Sequence, residues 1–174
     1  AQFGSDYGIS NQSGKIKSNE IYSILDLAWG KGINTLDTAK AYGNCEEVIG
    51  YYMKKRPGQT WNIITKLGGN ESNIADQIQD STENLSTQPS TVLAHSAELF
   101  LFDDFQRRLA ETRNVQKIKK IGVSLYSEDE INRAMESALR PEVIQLPLNI
   151  LDTKLFQRGV LANISNNGIE VHAR

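Results

Sequence analysis

Six short apolar runs begin near residues 34, 62, 91, 121, 143 and 169, and helical periodicity fills the gaps between them. A strand-helix unit repeated at that spacing implies parallel pairing, because each helix carries the chain back to start the next strand on the same side. An open doubly wound sheet and a closed barrel both satisfy the repeat. What separates them is how the runs end: Asp37, Lys66, His95, Ser124, Gln145 and the His172 to Arg174 tail place a polar group after nearly every run. A barrel gathers all those ends in one ring, whereas an open sheet spreads them along a line with a single switch point. The expected fold is therefore an α/β (β/α)8 TIM barrel. Such a barrel usually needs about 250 residues. With 174 residues and six strands, residues 1–174 read as one incomplete barrel domain.

Local signals place the helices. Ser18 is the expected cap of a helix whose apolar face is Ile21, Ile24, Leu25 and Ala28, ended by Gly30 or Gly32. Asn44 and Glu47 have the spacing of a capping box, and Arg56-Pro57-Gly58 stops the helix that follows. Ser72 opens a polar helix with Ile74, Ile78 and Leu85 on one face, and Phe102, Phe105 and Leu109 mark the next helix. Ser127 and Glu130 form a second capping box, ahead of Ile131, Ala134, Met135, Ala138 and Leu139, with Arg140-Pro141 as the stop. A broken helical stretch spans 155–164 and ends near Gly168. Ala1 to Gly14, rich in Gly, Ser, Asn and Gln, reads as a loop.

Charge and cysteine content narrow the function classes. Nineteen basic residues against 21 acidic ones, without long blocks of either sign, offer no attraction to nucleic acid or a membrane surface. A small molecule is the expected partner. One cysteine cannot form an internal disulfide, and there is no apolar run of about 18 residues and no signal-like start. A soluble, cytoplasmic protein is expected. His95 and His172 with that single cysteine make no metal-ligand set.

The most specific stretch is Asp37-Thr38-Ala39-Lys40-Ala41-Tyr42-Gly43. It closely resembles the aldo-keto reductase signature, Asp-Thr-Ala-x-x-Tyr-Gly at a strand end, and Lys66 and His95 stand at the later strand ends where that family has its lysine and histidine. Taken singly, Asp37 is a turn residue, Lys66 a surface lysine, Tyr42 a rim aromatic and His95 a satisfied polar residue. Their joint placement points to a catalytic tetrad. The resemblance spans Ala1 to Arg174. It implies that Ala1 and Gln2 end a first strand clipped by the start of the chain, and that the last βα unit is absent after Arg174.

By the same resemblance, the activity is NADPH-dependent reduction of an aldehyde or ketone to an alcohol, NADH being the other cofactor possible. A phenol, with a pKa of about 10, needs help to act as the proton donor. Lys66 would stabilise the phenolate left on Tyr42, Asp37 would hold the ammonium, and His95 would orient the substrate oxygen. Ser124 and Gln145 match the partners of the nicotinamide carboxamide. Leu125 departs from the asparagine common after that serine, and Arg174 replaces the aromatic ring many relatives place under the nicotinamide. Gly68-Gly69 reads as loop flexibility, with no phosphate-binding glycine motif. Cys45 sits at a helix start, where the dipole lowers a thiol pKa, although relatives often carry serine there and a small buried residue serves equally. Two other readings remain: a lyase or aldolase using Lys66 as a Schiff-base amine, and a non-catalytic NADPH-binding barrel that regulates a partner.

In the family, groups after the seventh strand and at the eighth hold the adenosine end of the cofactor. A polypeptide ending at Arg174 is therefore expected to bind NADPH poorly, and its unpaired strand edges to associate. Titrating NADPH into residues 1–174 and following cofactor fluorescence tests this. Saturable micromolar binding by a monomer would place the site wholly within these strands.

Overall fold

The computed structural model describes residues 1–69 and 73–174. Six parallel strands, β1 (Thr35–Asp37), β2 (Asn62–Leu67), β3 (Thr91–Ala94), β4 (Lys120–Ser124), β5 (Val143–Leu146) and β6 (Glu170–Ala173), pair in sequence order. Helices α1 (Ser18–Gly30) and α2 (Cys45–Lys55) flank β1. Then α3 (Ile74–Leu85), α4 (Ala97–Phe100), α5 (Asp103–Gln116), α6 (Glu128–Glu136), α7 (Lys154–Gln157) and α8 (Val160–Asn166) fill the later connections. Among the described residues no helix is long and apolar enough to cross a membrane.

Successive strand residues point to opposite faces, and the register keeps one parity throughout. Asp37 pairs with Ile64, Ile64 with Thr91, Leu93 with Gly122, Gly122 with Val143, and Gln145 with His172. On the other parity, Val92, Ala94, Ile121, Val123, Ile144 and Leu146 pack against α3, α5, α6 and α8 through Ile78, Leu109, Ile131 and Ile164. Around β1 and β2, Ile63 and Leu36 pack with Ile21, Leu25, Ile49 and Tyr52. The inner face has a small apolar cluster of its own, Ile64, Leu93 and Val143. The helix-facing layer therefore carries most of the apolar burial, and the inner face is left for polar side chains.

The sheet is curled. In a flat sheet β1 and β5, four strand positions apart, would be separated by about 19 Å. Gln145 Nε2 of β5 instead donates to Asp37 Oδ1 of β1 at 2.9 Å. The six strands form an arc of a (β/α)8 barrel, with β1 and β6 as edges of the described sheet.

Several local expectations give way to the tertiary environment. Ala1 and Gln2 are not strand: the Ala1 carbonyl accepts turn bonds from Gly4 and Ser5. Lys17, in extended conformation, precedes α1, so Ser18 already lies inside the helix, and Ile24 is 40% exposed while Ile21 and Leu25 are buried. Asn44 precedes α2 at φ −92°, ψ 28° and makes no capping bond. Its amide oxygen accepts from Lys15 instead. Asn73 caps α3 by accepting from Ala75 N–H, and Ser72 lies outside the described residues. The Ser127–Glu130 box forms in both halves. Helix α6 nonetheless stops at Glu136, short of Ala138 and Leu139, because Ser137 is extended and its one O–H has the Ala134 and Leu139 carbonyls as alternative acceptors. The broken stretch is α7 and α8, parted at Gly159 with φ +72°.

Helix α2 approaches α3 so closely that a Cβ at Gly50 would lie 2.0 Å from the Asn84 carbonyl oxygen. Gly50→Ala is expected to destabilise the fold by about 1–3 kcal/mol through overpacking. Gly58→Ala, with nothing within 4 Å, should stay within about 0.5 kcal/mol. Urea unfolding of both variants checks the contrast.

Candidate active site

The inward parity of β1 to β5 brings four of the expected groups together directly, and two more lie just beyond the strands. Asp37 ends β1, and Lys66 is on β2 with only 1% of its side chain exposed. Lys66 Nζ donates to Asp37 Oδ2 at 2.6 Å and to the Thr38 carbonyl at 2.9 Å. An ammonium has three N–H donors, so one stays uncommitted among the described residues. Nζ lies 5.4 Å from the centre of the Tyr42 ring. Tyr42 meets His95 edge to face, with ring centroids 5.7 Å apart and planes at 79°.

The turn that presents Tyr42 is held from three sides. Thr38 and Lys40 N–H extend the ladder to the Ile64 and Lys66 carbonyls, and Tyr42 N–H closes a turn onto Ala39. Thr65, facing outward from β2, donates to the buried Glu46 carboxylate of α2 at 2.6 Å. Gly4 packs on the far side: a Cβ there would lie 1.7 Å from the Tyr42 carbonyl, and Gly43 has φ +59°. The first loop thus braces the phenol-bearing turn.

Burial sets the protonation states. It pushes the Tyr42 phenol up, the Asp37 charge adds to this, and the Arg174 guanidinium pulls the other way. Burial pushes the Lys66 ammonium down, opposed by the charge and hydrogen bond of Asp37. His95 is also pushed down, by burial and then by the Lys66 charge. Near neutral pH the phenol keeps its proton, and the imidazole is uncharged with one N–H to offer.

Ser124 and Gln145 are adjacent in register, 2% and 3% exposed. Because an ionised carboxylate only accepts, the amide nitrogen of Gln145 must be the atom facing Asp37. Its Oε1 is left buried without a partner. Arg174 lies with its guanidinium carbon 4.4 Å from the centre of the Tyr126 ring. Cys45 is buried, and burial raises its thiol pKa, so the lowering expected from the helix dipole is overturned. A small buried side chain fits what is seen.

Beside His95 opens a cleft of about 360 Å³ lined by Gly68, Gly69, Ser96, Glu98, Leu99 and Phe102. Sequence reasoning missed this wall. Phe102, expected on the apolar face of the next helix with Phe105 and Leu109, instead precedes α5 in extended conformation and is 60% exposed on this wall. A second hollow, of about 270 Å³, lies at the opposite strand ends between Thr35, Asn62, Lys120, Glu170 and His172. It holds none of Asp37, Tyr42, Lys66 and His95.

Residues 2–174 match the model of the aldo/keto reductase family. D-arabinose 1-dehydrogenase of Saccharomyces cerevisiae is 30% identical over 131 residues, 66% of this chain and 39% of that protein. The chain thus spans well under half the length of that curated relative. Among solved structures, an aldo-keto reductase from Bacillus halodurans in its holo form has a TM-score of 0.76 at 22% identity, over 91% of this chain and 57% of that one. One from Klebsiella pneumoniae in complex with NADPH has a TM-score of 0.77 at 16% identity, over 90% and 57%.

Asp37→Asn is expected to destabilise the fold, because it strips the counter-ion from a buried ammonium. The cost should be about 2 kcal/mol, below the usual range for a broken buried pair, since the Asp37 side chain is 40% exposed. The folded-state pKa of Lys66 lies below its unfolded value, so alkaline pH discharges the ammonium in the folded chain first. The penalty should therefore shrink as pH rises through that folded value. Lys66→Met should cost little or stabilise. Unfolding midpoints across pH check both directions.

Proposed function

The chain belongs to the aldo/keto reductase family, and on that premise we propose that the protein reduces an aldehyde or ketone to an alcohol, with NADPH preferred over NADH and Tyr42 as proton donor. Residues 1–174 are assigned to one incomplete barrel domain, acting on a small carbonyl compound in the cytoplasm. The observation that carries the reading is the convergence of Asp37, Lys66, Tyr42 and His95 at one end of the sheet. The yeast relative's name, a dehydrogenase, and the Klebsiella complex with NADPH support it.

The residues present fit a nicotinamide. Gln145 Oε1 is a buried acceptor without a donor, and the Ser124 hydroxyl beside it can donate, which suits a carboxamide that both gives and takes hydrogen bonds. Arg174, exposed and stacked on Tyr126, offers a planar group to the ring. When bound, the cofactor supplies a hydride to the carbonyl carbon.

The chain's own groups do the rest. His95, held uncharged, donates its N–H to the substrate oxygen and directs it at the phenol. Tyr42 transfers its proton to that oxygen as negative charge develops there. The phenolate that remains is stabilised by the uncommitted N–H of Lys66, whose position Asp37 and the Thr38 carbonyl hold. The cleft beside His95, with Phe102 and Leu99 on its wall, receives the remainder of the substrate.

Tyr42→Phe is expected to abolish carbonyl reduction while leaving NADPH affinity within a few-fold, since only the acidic proton is lost. In the full-length protein, NADPH oxidation with a panel of aldehydes and sugars measures the first, and cofactor fluorescence the second. Undiminished reduction by Tyr42→Phe would remove Tyr42 from the role. Borohydride trapping of substrate on Lys66 without nicotinamide would favour a Schiff-base mechanism instead.

A further inference from the structure

We infer that Gln145 is a positioning residue that ties ligand binding at the strand-end mouth to the Asp37–Lys66 ion pair, an inference that rests on the carbonyl-reductase reading above. The Asp37 carboxylate is shared across the curl of the sheet: Oδ2 accepts from Lys66 on β2 at 2.6 Å, and Oδ1 from Gln145 on β5 at 2.9 Å. The chemistry of the carboxylate fixes which way the amide faces, because only its nitrogen can donate. Oε1 therefore points elsewhere, and it is buried with no partner, in a residue only 3% exposed.

A buried acceptor in that state is a site waiting for a donor. An amide or hydroxyl of a bound ligand that donates to Oε1 satisfies it. Because the amide group is planar and rigid, fixing Oε1 also fixes Nε2 on Asp37. Ligand binding then clamps the carboxylate, and the carboxylate holds the Lys66 ammonium. Gln145 is thus a link between cofactor and acid pair, beyond its contact with the cofactor.

The readout is the protonation of Lys66. Its ammonium is faced by Asp37 from β1, Tyr42 and Cys45 from the turn and start of α2, His95 after β3 and Arg174 after β6, and Asp37 is the main group favouring the charged form. Gln145→Met removes the N–H that shares the carboxylate charge, so more of that charge faces the ammonium. Lys66 should then keep its proton to a higher pH, by about 1 unit. Gln145→Glu leaves a donor on Oδ1, because two carboxyls at that spacing share one proton, and should leave Lys66 near its parent titration.

Lysine labelled with carbon-13 at Cε, followed by NMR across pH in the parent protein and both variants, tests this without relying on turnover. NADPH affinity is measured in parallel by fluorescence, with about a tenfold weakening expected in Gln145→Met for one lost hydrogen bond. A rise of Lys66 in Gln145→Met beside a near-parent titration in Gln145→Glu supports the inference, and if Gln145→Met fails to fold, Gln145→Asn, whose shorter amide falls short of Asp37, should raise Lys66 in the same way and decides. Weakened NADPH binding with Lys66 unmoved in both variants would reduce Gln145 to a cofactor contact and overturn it. A full-length parent protein that neither binds nicotinamide nor reduces carbonyls, with Lys66 still moving in Gln145→Met, would sink the reductase reading and leave the positioning role supported.

Discussion

The Asp37 carboxylate has two oxygens, and each is held by a different strand: one by the Lys66 ammonium of β2, the other by the Gln145 amide of β5. The first joins neighbouring strands, but the second does not survive in a flat sheet. The curl that permits it follows from the twist of parallel strands with helices packed on one side, and it turns a row of strand ends into an enclosed cluster. Removing the curl would separate Asp37 from Gln145 and leave the carboxylate held by Lys66 alone.

The cost of that cluster is met elsewhere in the chain. Lys66 is an almost fully buried cation whose charged form burial disfavours, and Ser124 and Gln145 are buried beside it. The inner apolar cluster is small, while the helix-facing layer holds Leu67, Ile78, Phe100, Leu109, Ile121, Ile131 and Ile164 in one continuous core. Stability comes chiefly from the outer layer, by removal of apolar surface from water. The inner layer can then carry polar and charged groups that are poor for stability. The Tyr42 turn is braced by Gly4 and Glu46, and Tyr42 itself packs against the apolar cluster around Cys45 and Ile49.

Much of this was legible in the residues. The strand-helix repeat gave all six strands to within a residue or two, because a buried parallel strand leaves a compact apolar run with a polar stop. The signature around Asp37, together with Lys66 and His95, gave the four groups that meet at the strand ends. Local polar signals were less dependable. The Ser127–Glu130 box formed, whereas Asn44 was drawn to Lys15 and Ser18 fell inside a helix already begun by Lys17. Cys45 lay at a helix start, as expected, but burial outweighed the dipole there. Short polar side chains choose among several nearby partners, and the choice is made by what packs around them.

Sequence alone determined the parity of the strands, and with it which residues share the inner face, because alternation of side chains is a local property of an extended chain. Tertiary structure decided how close those residues come and in which protonation state. The 2.9 Å bond between Gln145 and Asp37 joins residues 108 apart, and the edge-to-face contact of Tyr42 with His95 joins two loops. So too with the wall formed by Leu99 and Phe102, and the stacking of Arg174 on Tyr126. Distances between strands that are not neighbours depend on curvature, and burial depends on every layer at once; neither is written in a stretch of adjacent residues.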